Sequence, residues 1–263
     1  MFRAKKRYGQ HFLQPQWADK LVAAMSPAPT DRFLEIGPGP GVLTLRLAPQ
    51  VAHLTAIEVD PEMVALLAPQ VPGNVTLIQG DFLDIDLAPA LSGGAVRVAG
   101  NLPYNVSSPI LFRLLDVHRK TAALVDATLM LQREVAERIE ASPGTKAYGV
   151  LSIFVQLHAD VRKVLALPPG AFRPAPKVHS SVLRLSFRAP AVRLSNERLF
   201  ESMVRSMFTQ RRKTLGNALR PFAASQTTDA AAALRQAGID SSRRPETLQL
   251  DELARLAGIF AAG

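Results

Sequence analysis

The sequence contains no cysteine and few aromatic residues. None of its 263 residues is cysteine, which excludes disulfide bonds and thiolate metal sites, and 6% are aromatic with a single tryptophan. The longest apolar run, residues 122–131, is interrupted by Asp126 and is too short to cross a bilayer. The basic residues 3–7 have no apolar stretch behind them, so they do not form a secretory signal. We therefore expect a soluble cytoplasmic protein.

Acidic residues are outnumbered by basic ones, and the formal net charge is +9. This balance favours a polyanionic partner, with nucleic acid first and an anionic membrane second, unless the charges are merely dispersed. With 48% hydrophobic residues the chain can bury a sizeable core. Its length allows one large α/β domain and a smaller second domain.

Strands and helices alternate in the first half of the chain. Apolar runs at 32–36, 53–59, 75–78 and 95–99 predict strands, and helical patterns or turns separate them. Strands that alternate with helices form a doubly wound parallel sheet with right-handed crossovers. The predicted fold class is therefore α/β and Rossmann-like.

A glycine-rich turn and two acidic residues follow successive strands. Residues 37–41 read Gly-Pro-Gly-Pro-Gly, and Glu58 follows Gly37 by 21 positions, the usual distance for an acid that binds ribose hydroxyls. Asp81 would accept a hydrogen bond from an adenine amine. Because position 42 is valine, the GxGxxG pyrophosphate pattern is absent, and S-adenosylmethionine fits better than NAD. Alternatively, both acids only cap helices after their strands.

The stretch Gly-Asn-Leu-Pro-Tyr at 100–104 follows the strand predicted at 95–99. Asn101 offers a neutral carbonyl acceptor, Pro103 stiffens the turn, and Tyr104 offers a ring for stacking. These residue types suit a slot for a flat base with an exocyclic amine. The alternative interpretation is an ordinary Pro-Tyr turn after a strand.

Phe172 lies in a loop at 168–177 that contains four prolines. A phenylalanine on such a loop usually packs in the core. The alternative is that its ring lies beside Tyr104 and forms the second wall of the base slot.

The composition changes near 188–195, and we predict a domain boundary there. Beyond it, apolar residues at helical spacing between 200 and 208 predict a packed helix. The run Gln-Arg-Arg-Lys at 210–213 ends this helix, and Arg205 lies on it. Such a run is often a solvated face, but in a basic protein we favour contact with phosphates.

These features together resemble one enzyme family. The sequence is similar to the small-subunit ribosomal RNA adenine N6-dimethyltransferases, the kasugamycin-sensitivity methylases, over almost its whole length. The matching motifs lie at 6–13, 35–39, 100–104, 174–178 and 204–215.

The resemblance implies a Rossmann-like S-adenosylmethionine-dependent domain at 1–188 and a small all-α RNA-recognition domain at 196–263. It implies transfer of two methyl groups to each of two adjacent adenines in a hairpin loop near the 3′ end of 16S rRNA. The partner would be an assembling 30S particle, and the enzyme would be a monomer that needs neither metal nor membrane.

The resemblance also implies roles for single residues. The predicted cofactor-binding residues are His11, Leu13, Gly37, Gly39, Glu58, Asp81 and Asn101. The predicted catalytic residues around the target adenine are Asn101, Leu102, Pro103, Tyr104 and Phe172. The basic run itself, rather than the resemblance, predicts the RNA-binding residues Arg205, Arg211, Arg212 and Lys213. Position 11 is often asparagine in the family, so the hydrogen bond that His11 makes there is left open.

Three other functions compete with this interpretation. A large-subunit rRNA adenine methylase of the macrolide-resistance type shares the catalytic layout, but the run at 210–215 favours the small-subunit family. A ribosome-assembly factor would bind and release the particle, with methylation secondary. A DNA adenine methylase would need a duplex-recognition domain, and no segment of the sequence indicates one.

Overall fold

The structure, a computed structural model, describes residues 10–226 and 228–262. The basic residues Lys5, Lys6 and Arg7, two of which belong to a matching motif, lie outside the described residues. The chain divides into two compact units. The sheet unit comprises residues 1–136 and 160–187, and the helical unit comprises residues 137–159 and 188–263.

A seven-stranded sheet forms the centre of the sheet unit. The strands of the chain are β1 (Phe12–Leu13), β2 (Arg32–Ile36), β3 (His53–Glu58), β4 (Val75–Gln79), β5 (Val96–Asn101), β6 (Leu124–Gln132), β7 (Ala159–Leu167), β8 (Phe172–Arg173) and β9 (Ser180–Phe187). Their order in the large sheet is β4-β3-β2-β5-β6-β9-β7. The five neighbouring strands β4, β3, β2, β5 and β6 pair in parallel, and β9 pairs antiparallel with β6.

The strand order reverses between β2 and β5. From β2 the chain continues outward to β3 and β4, whereas β5 returns to the other side of β2 and leads to β6. In open α/β sheets, ligands bind at the carboxyl ends of the strands beside such a switch point. The topology therefore predicts a ligand site beside the residues that follow Ile36 and Asn101, which are the last residues of β2 and β5.

Helices connect and cover these strands. Those that lie in or begin in the sheet unit are α1 (Pro15–Met25), α2 (Thr44–Leu47), α3 (Pro61–Leu67), α4 (Ala88–Leu91), α5 (Ser107–Thr121) and α6 (Arg133–Glu140). Leu21, Val22 and Met25 of α1 pack in one core cluster with residues of β2 and β3. Asp60 begins α3, because its side chain accepts the Glu62 N–H and Pro61 occupies the first turn.

The helical unit contains α7 (Val150–His158), α8 (Glu197–Phe208), α9 (Leu215–Ala218), α10 (Arg220–Ser225), α11 (Ala230–Gln236) and α12 (Leu250–Ala262). Helix α8 begins at Asn196, whose side chain accepts the Leu199 N–H. Its apolar stripe is buried, and the ring of Phe200 lies 6.4 Å from the ring of Phe154 in α7. No helix among the described residues is both long and apolar enough to span a bilayer.

The predicted fold class is confirmed, but several details differ from the prediction. Residues 100 and 101 continue β5, which the sequence pattern ended at 99. The short strands β1 and β8 were not predicted, nor were α4, α9 and α10. Residues 137–159 belong to the helical unit, whereas the predicted boundary assigned them to the first domain. Helix α7 packs on α8, so these residues join the helical unit through contacts distant in sequence.

Candidate active site

A cavity of about 290 Å³ opens at the carboxyl ends of β2 to β5 in the sheet unit. Most of the predicted site residues line it. These are His11, Leu13, Gly37, Gly39, Glu58, Asp81, Asn101, Leu102, Pro103 and Tyr104. The structure thus brings together side chains that are up to 93 positions apart, from His11 to Tyr104.

The glycine turn after β2 forms one side of the cavity. Gly37 and Gly39 have φ angles of 68° and 56°, which side chains other than glycine rarely adopt. A Cβ atom on Gly39 would lie 3.1 Å from the ring of Phe12. A Cβ atom on Gly37 would meet nothing within 4 Å, so open space lies directly above this backbone. The turn therefore allows a ligand to approach the main chain closely.

Glu58, the last residue of β3, is buried at the cavity wall. Its Oε2 accepts the Gly39 N–H at 2.9 Å, and its Oε1 accepts the Asp60 N–H at 2.8 Å. Burial raises the pKa of Glu58, while these backbone hydrogen bonds oppose the rise. A carboxylate oxygen can accept two hydrogen bonds, so the side chain of Glu58 retains capacity to accept from ribose hydroxyls.

Asp81 follows β4 and is exposed at the cavity. Its Oδ1 accepts the Leu83 N–H at 2.8 Å. Among the described residues, no partner hydrogen-bonds Oδ2, so this oxygen is available as an acceptor. The ring of Phe82 is buried and lines the same cavity.

The side chain of Asn101 is held at one end. Its Nδ2 donates to the main-chain carbonyl of His11 at 2.6 Å. This bond uses the amide's donor side, and within the described part of the chain nothing donates to Oδ1. Asn101 is half-buried and lines the cavity beside the glycine turn. The amide can therefore present its oxygen as an acceptor with a fixed direction.

Tyr104 is held by a hydrogen bond between its hydroxyl and Ser180 Oγ, at 2.8 Å. Burial raises its pKa, so the phenol stays neutral. The ring of His11 stacks on Tyr104, with centroids 5.5 Å apart and planes at 25°. His11 Nδ1 lies 2.7 Å from the carbonyl oxygen of Pro174. An aromatic neighbour of Tyr104 thus exists, but it is His11.

Phe172 lies in the core, which the loop sequence indicates as the usual position for such a ring, and not beside Tyr104 as the resemblance implied. Its side chain is 1% exposed and packs in the core cluster, and Phe172 is not among the residues that line the cavity. The cause is the pairing of β8 with β1, which places Phe172 opposite Leu13. Phe172 supports the segment that covers the site, and the suggestion that its ring forms the second wall of the base slot is corrected accordingly.

A covering segment, residues 10–13, closes one side of the cavity. Gln10 Nε2 donates to Asp60 Oδ2 at 2.9 Å, and Phe12 pairs with Arg173 across the β1–β8 ladder. The main-chain N–H of Gln14 continues this attachment by donating to the carbonyl of Ala171 at 2.8 Å. These contacts hold the covering segment against the rest of the sheet unit at the cavity.

Two further residues that line the cavity, Glu35 and Val59, were not identified as site residues from the sequence. Glu35 is 2% exposed, lines the cavity and accepts the Thr44 hydroxyl at 2.7 Å. Burial raises the pKa of Glu35 to about 7, and the nearby Glu58 adds to the rise. Val59, 39% exposed, offers apolar surface next to Glu58. A charged residue inside an apolar strand was the available signal for Glu35.

The predicted RNA-binding residues lie in the helical unit and differ in their partners. Arg211 Nη2 donates to the Lys146 carbonyl at 3.0 Å and pairs with Glu246 at 3.3 Å. Arg205 lies over the ring of Phe154, 5.0 Å from its centroid. Arg212 and Lys213 are exposed, and the structure gives their side chains no partner among the described residues.

Metal binding was not expected, and the described residues contain no group of three or more His, Asp or Glu side chains arranged to hold a metal ion. The expectation remains a prediction.

Comparison with known proteins gives consistent matches over the whole chain. The family model described as ribosomal RNA adenine dimethylase matches residues 1–261. The ribosomal RNA small subunit methyltransferase A of Geobacter sulfurreducens is 45% identical over 270 residues, which cover 99% of this chain and 97% of that protein. The protein of the same name from Xanthomonas campestris is 41% identical over 263 residues, covering 98% and 97%.

Solved structures share the fold. A dimethyladenosine transferase from Plasmodium falciparum superposes with a TM-score of 0.78 at 25% identity, covering 96% of this chain and 98% of that chain. A 23S rRNA methyltransferase, ErmE, superposes with a TM-score of 0.67 at 24% identity, covering 95% and 99%. The second likeness concerns the fold alone.

Proposed function

The chain belongs to the ribosomal RNA adenine dimethylase family, and from this premise we propose that it methylates small-subunit rRNA. The proposed reaction transfers methyl groups from S-adenosylmethionine to the N6 amines of two adjacent adenines. These lie in a hairpin loop near the 3′ end of 16S rRNA within an assembling small subunit. The names of relatives at 41–45% identity support the choice of small-subunit rRNA. Such a substrate implies a cytoplasmic enzyme.

The observation that carries the proposal is the attachment of Asn101. Its donor group is bound to the His11 carbonyl, so its acceptor oxygen has a defined direction beside the glycine turn. An adenine N6 amine needs an acceptor, because its lone pair is delocalised into the ring and is a poor nucleophile. A fixed neutral amide meets that requirement without a strong base.

The cavity fits an adenosyl cofactor. Glu58 would accept ribose hydroxyls, Asp81 would accept the cofactor's adenine amine through its open oxygen, and the bare backbone at Gly37 leaves room for the cofactor. Val59 and Phe82 add apolar contact for the adenine ring. When bound, the cofactor supplies an electrophilic methyl group on a positively charged sulfur.

The residues at 101–104 would hold the target base. The Asn101 Oδ1 and a main-chain carbonyl would accept the two amine hydrogens, which draws the nitrogen towards tetrahedral geometry and frees its lone pair. The carbonyl of Pro103 already accepts the Val106 N–H at 3.1 Å, which favours the carbonyl of Leu102 as the second acceptor. Positioning and preorganised dipoles would then supply most of the rate.

Tyr104 would stack on the extruded adenine, a contact worth about 1–3 kcal/mol per base. The His11 ring covers part of Tyr104, so the adenine either uses the other face or displaces His11. After one transfer the amine would be cationic and would lose a proton to solvent, which leaves it with one hydrogen. One of the two acceptors then suffices to orient it for the second transfer.

The helical unit would contact the RNA backbone. Arg212 and Lys213 are exposed cations whose side chains have no partner in the described residues, and phosphates are their natural ligands. Arg211 and Arg205 make contacts within the unit, so we assign them a supporting role beside the phosphate contacts.

The test is transfer of labelled methyl groups to undermethylated 30S particles, 50S particles and DNA, followed by identification of the modified nucleoside. We expect N6,N6-dimethyladenosine in the 30S reaction alone. Label in 50S particles would indicate a large-subunit methylase, and label in DNA would indicate a DNA methylase. Binding to 30S particles with no transfer would indicate an assembly factor. Each of these results would contradict the proposal.

A further inference from the structure

Arg113 makes an unusual set of contacts next to the cavity. It lies on α5, and its guanidinium donates from Nη1 to the carbonyl of Leu83 and from Nη2 to the carbonyl of Ile85. The same guanidinium lies over the ring of Phe82, 5.6 Å from its centroid. One arginine therefore binds two carbonyls of the turn at residues 81–85 and covers the ring of Phe82 within it.

This turn also has internal hydrogen bonds, and Asp81 is the acceptor in each of them. The main-chain carbonyl of Asp81 accepts the N–H groups of Asp84 at 3.0 Å and Ile85 at 2.9 Å. Its side chain accepts the Leu83 N–H at 2.8 Å. The direction of the open Oδ2 therefore depends on where Leu83 lies. The carbonyl of Leu83 is fixed in turn by Arg113.

Arg113 also links two parts of the site. Helix α5 follows directly on the segment that we assign to the target adenine, and Ser107 at its start donates to the carbonyl of Tyr104 at 3.4 Å. Ile110 of the same helix lines the cavity. The turn that carries Asp81 is thereby attached to α5, the helix that begins shortly after residues 101–104. An isolated turn, closed only by its own hydrogen bonds, would tolerate more movement of the Asp81 carboxylate.

We propose that Arg113 is a positioning residue for cofactor recognition, which fixes the turn so that Asp81 selects an adenine amine over a carbonyl oxygen. The inference rests on the proposed function, because it takes the cavity as the adenosyl cofactor site. Arg113 does not touch the ligand in this account, and it acts through Leu83 and Asp81. Its guanidinium suits this task because its planar fork reaches two carbonyl groups at once.

The experiment measures binding to the full chain by calorimetry, with S-adenosylhomocysteine and S-inosylhomocysteine as probes. The second probe carries a carbonyl oxygen in place of the amine. In Arg113→Met, which keeps a long apolar stem on Phe82, we expect affinity for S-adenosylhomocysteine to fall about tenfold. Affinity for the inosyl probe should change by less than about threefold, because the carbonyl oxygen that replaces its amine cannot donate a hydrogen bond to Asp81. The ratio of the two affinities, which measures the preference for adenine over hypoxanthine, should therefore be smaller in Arg113→Met than in the wild type.

Arg113→Lys and Arg119→Lys complete the design. Arg113→Lys retains the charge but lacks the fork, so its preference should lie between those of the wild type and Arg113→Met. Arg119 lies on the same helix and pairs with Asp116, and Arg119→Lys should leave both affinities unchanged. Should Arg113→Met fail to fold, the role of Arg113 is tested by comparing the probe preferences of Arg113→Lys and Arg119→Lys. Only Arg113→Lys should show a reduced preference for the adenosyl probe.

The outcomes separate the two claims. Equal losses for both probes, or no loss for either in Arg113→Met, would overturn the role of Arg113. So would a wild type that binds both probes equally well. A wild type that binds neither probe would contradict the proposed function itself.

Discussion

The two ends of β5 carry polar residues that differ in how many of their hydrogen-bonding groups have a partner. At its start, Arg97 donates to Asp31 at 2.7 Å and to both carboxylate oxygens of Asp126, at 3.1 and 2.9 Å. It also donates to the carbonyl of Met25 at 2.8 Å. At its end, Asn101 uses its donor side on His11 and leaves Oδ1 open within the described residues.

This difference separates structural polarity from functional polarity. A half-buried arginine with two carboxylates and a carbonyl has most of its donors in use, so it offers nothing to a ligand. The amide of Asn101 is held in one orientation, and its unused oxygen can accept a hydrogen bond from a ligand. The hydrogen-bond partners of these two residues therefore predict a structural role for Arg97 and a ligand-binding role for Asn101.

The largest expected effect is on stability, at the start of the strand. Arg97→Ala removes the cation that binds Asp31 and the nearer of the two cations at Asp126, where Arg184 Nε remains 3.7 Å from Oδ2. We expect this substitution to lower the free energy of unfolding by about 3–5 kcal/mol. Urea denaturation measures this decrease. In a double-mutant cycle with Asp126→Ala, the double variant should lose less than the sum of the single variants. Simple additivity would show that the pair is not coupled.

The second prediction concerns the other end of the strand. Asn101→Ala should slow methyl transfer by about 10²–10³-fold, because it removes a preorganised acceptor, and should leave affinity for S-adenosylhomocysteine within a few-fold. Single-turnover kinetics on undermethylated 30S particles measures the rate. Asn105→Ala is the matched control, since Asn105 also lines the cavity and is exposed. Near-normal turnover in Asn101→Ala would refute the acceptor role.

The third prediction uses Glu35, which lies on the neighbouring strand β2 at the cavity. Its pKa is raised to about 7 by burial, from 4.5. The folded state therefore binds the proton more tightly than the unfolded state, so the stabilisation is complete below about pH 4.5 and is lost as pH rises to about 7. The decrease amounts to at most about 3 kcal/mol.

Glu35→Gln tests this, because the amide oxygen can still accept the Thr44 hydroxyl while no proton is exchanged. The stability of the wild type relative to the variant, measured by denaturation across this pH range, should decrease as pH rises. The exposed Glu62 gives the matched substitution Glu62→Gln. A constant difference between the wild type and Glu35→Gln would indicate that Glu35 is ionised throughout.

The smallest effect is expected in the helical unit. Replacing Arg212 and Lys213 with glutamine should flatten the salt dependence of RNA binding, by about 0.7–0.9 in the logarithmic slope for each phosphate that is no longer neutralised. Arg211→Gln is the control, because Arg211 binds Lys146 and Glu246, and it should affect thermal stability more than the slope. An unchanged slope in the double variant would make these residues a solvated face.

Much of the sheet unit was accessible from local patterns. The start of helix α3 is readable from the sequence itself, because Asp60 can cap the helix and Pro61 favours its first turn. The position of Glu58 and Asp81 at strand ends was also readable, because successive parallel strands end at one edge. Arg113 was not identifiable, since an arginine in an amphipathic helix looks like any surface residue.

The sequence by itself determined the alternation of strands and helices, the glycine turn, the family and the strand ends that carry Asn101, Glu58 and Asp81. These depend on periodicity and on turn chemistry, which act over a few residues. The tertiary structure alone decided that β1 pairs with β8, that Phe172 is core while His11 faces Tyr104, and that Arg211 is bound while Arg212 is exposed. Each of these rests on contacts between segments far apart in the chain, whose partners no local pattern specifies.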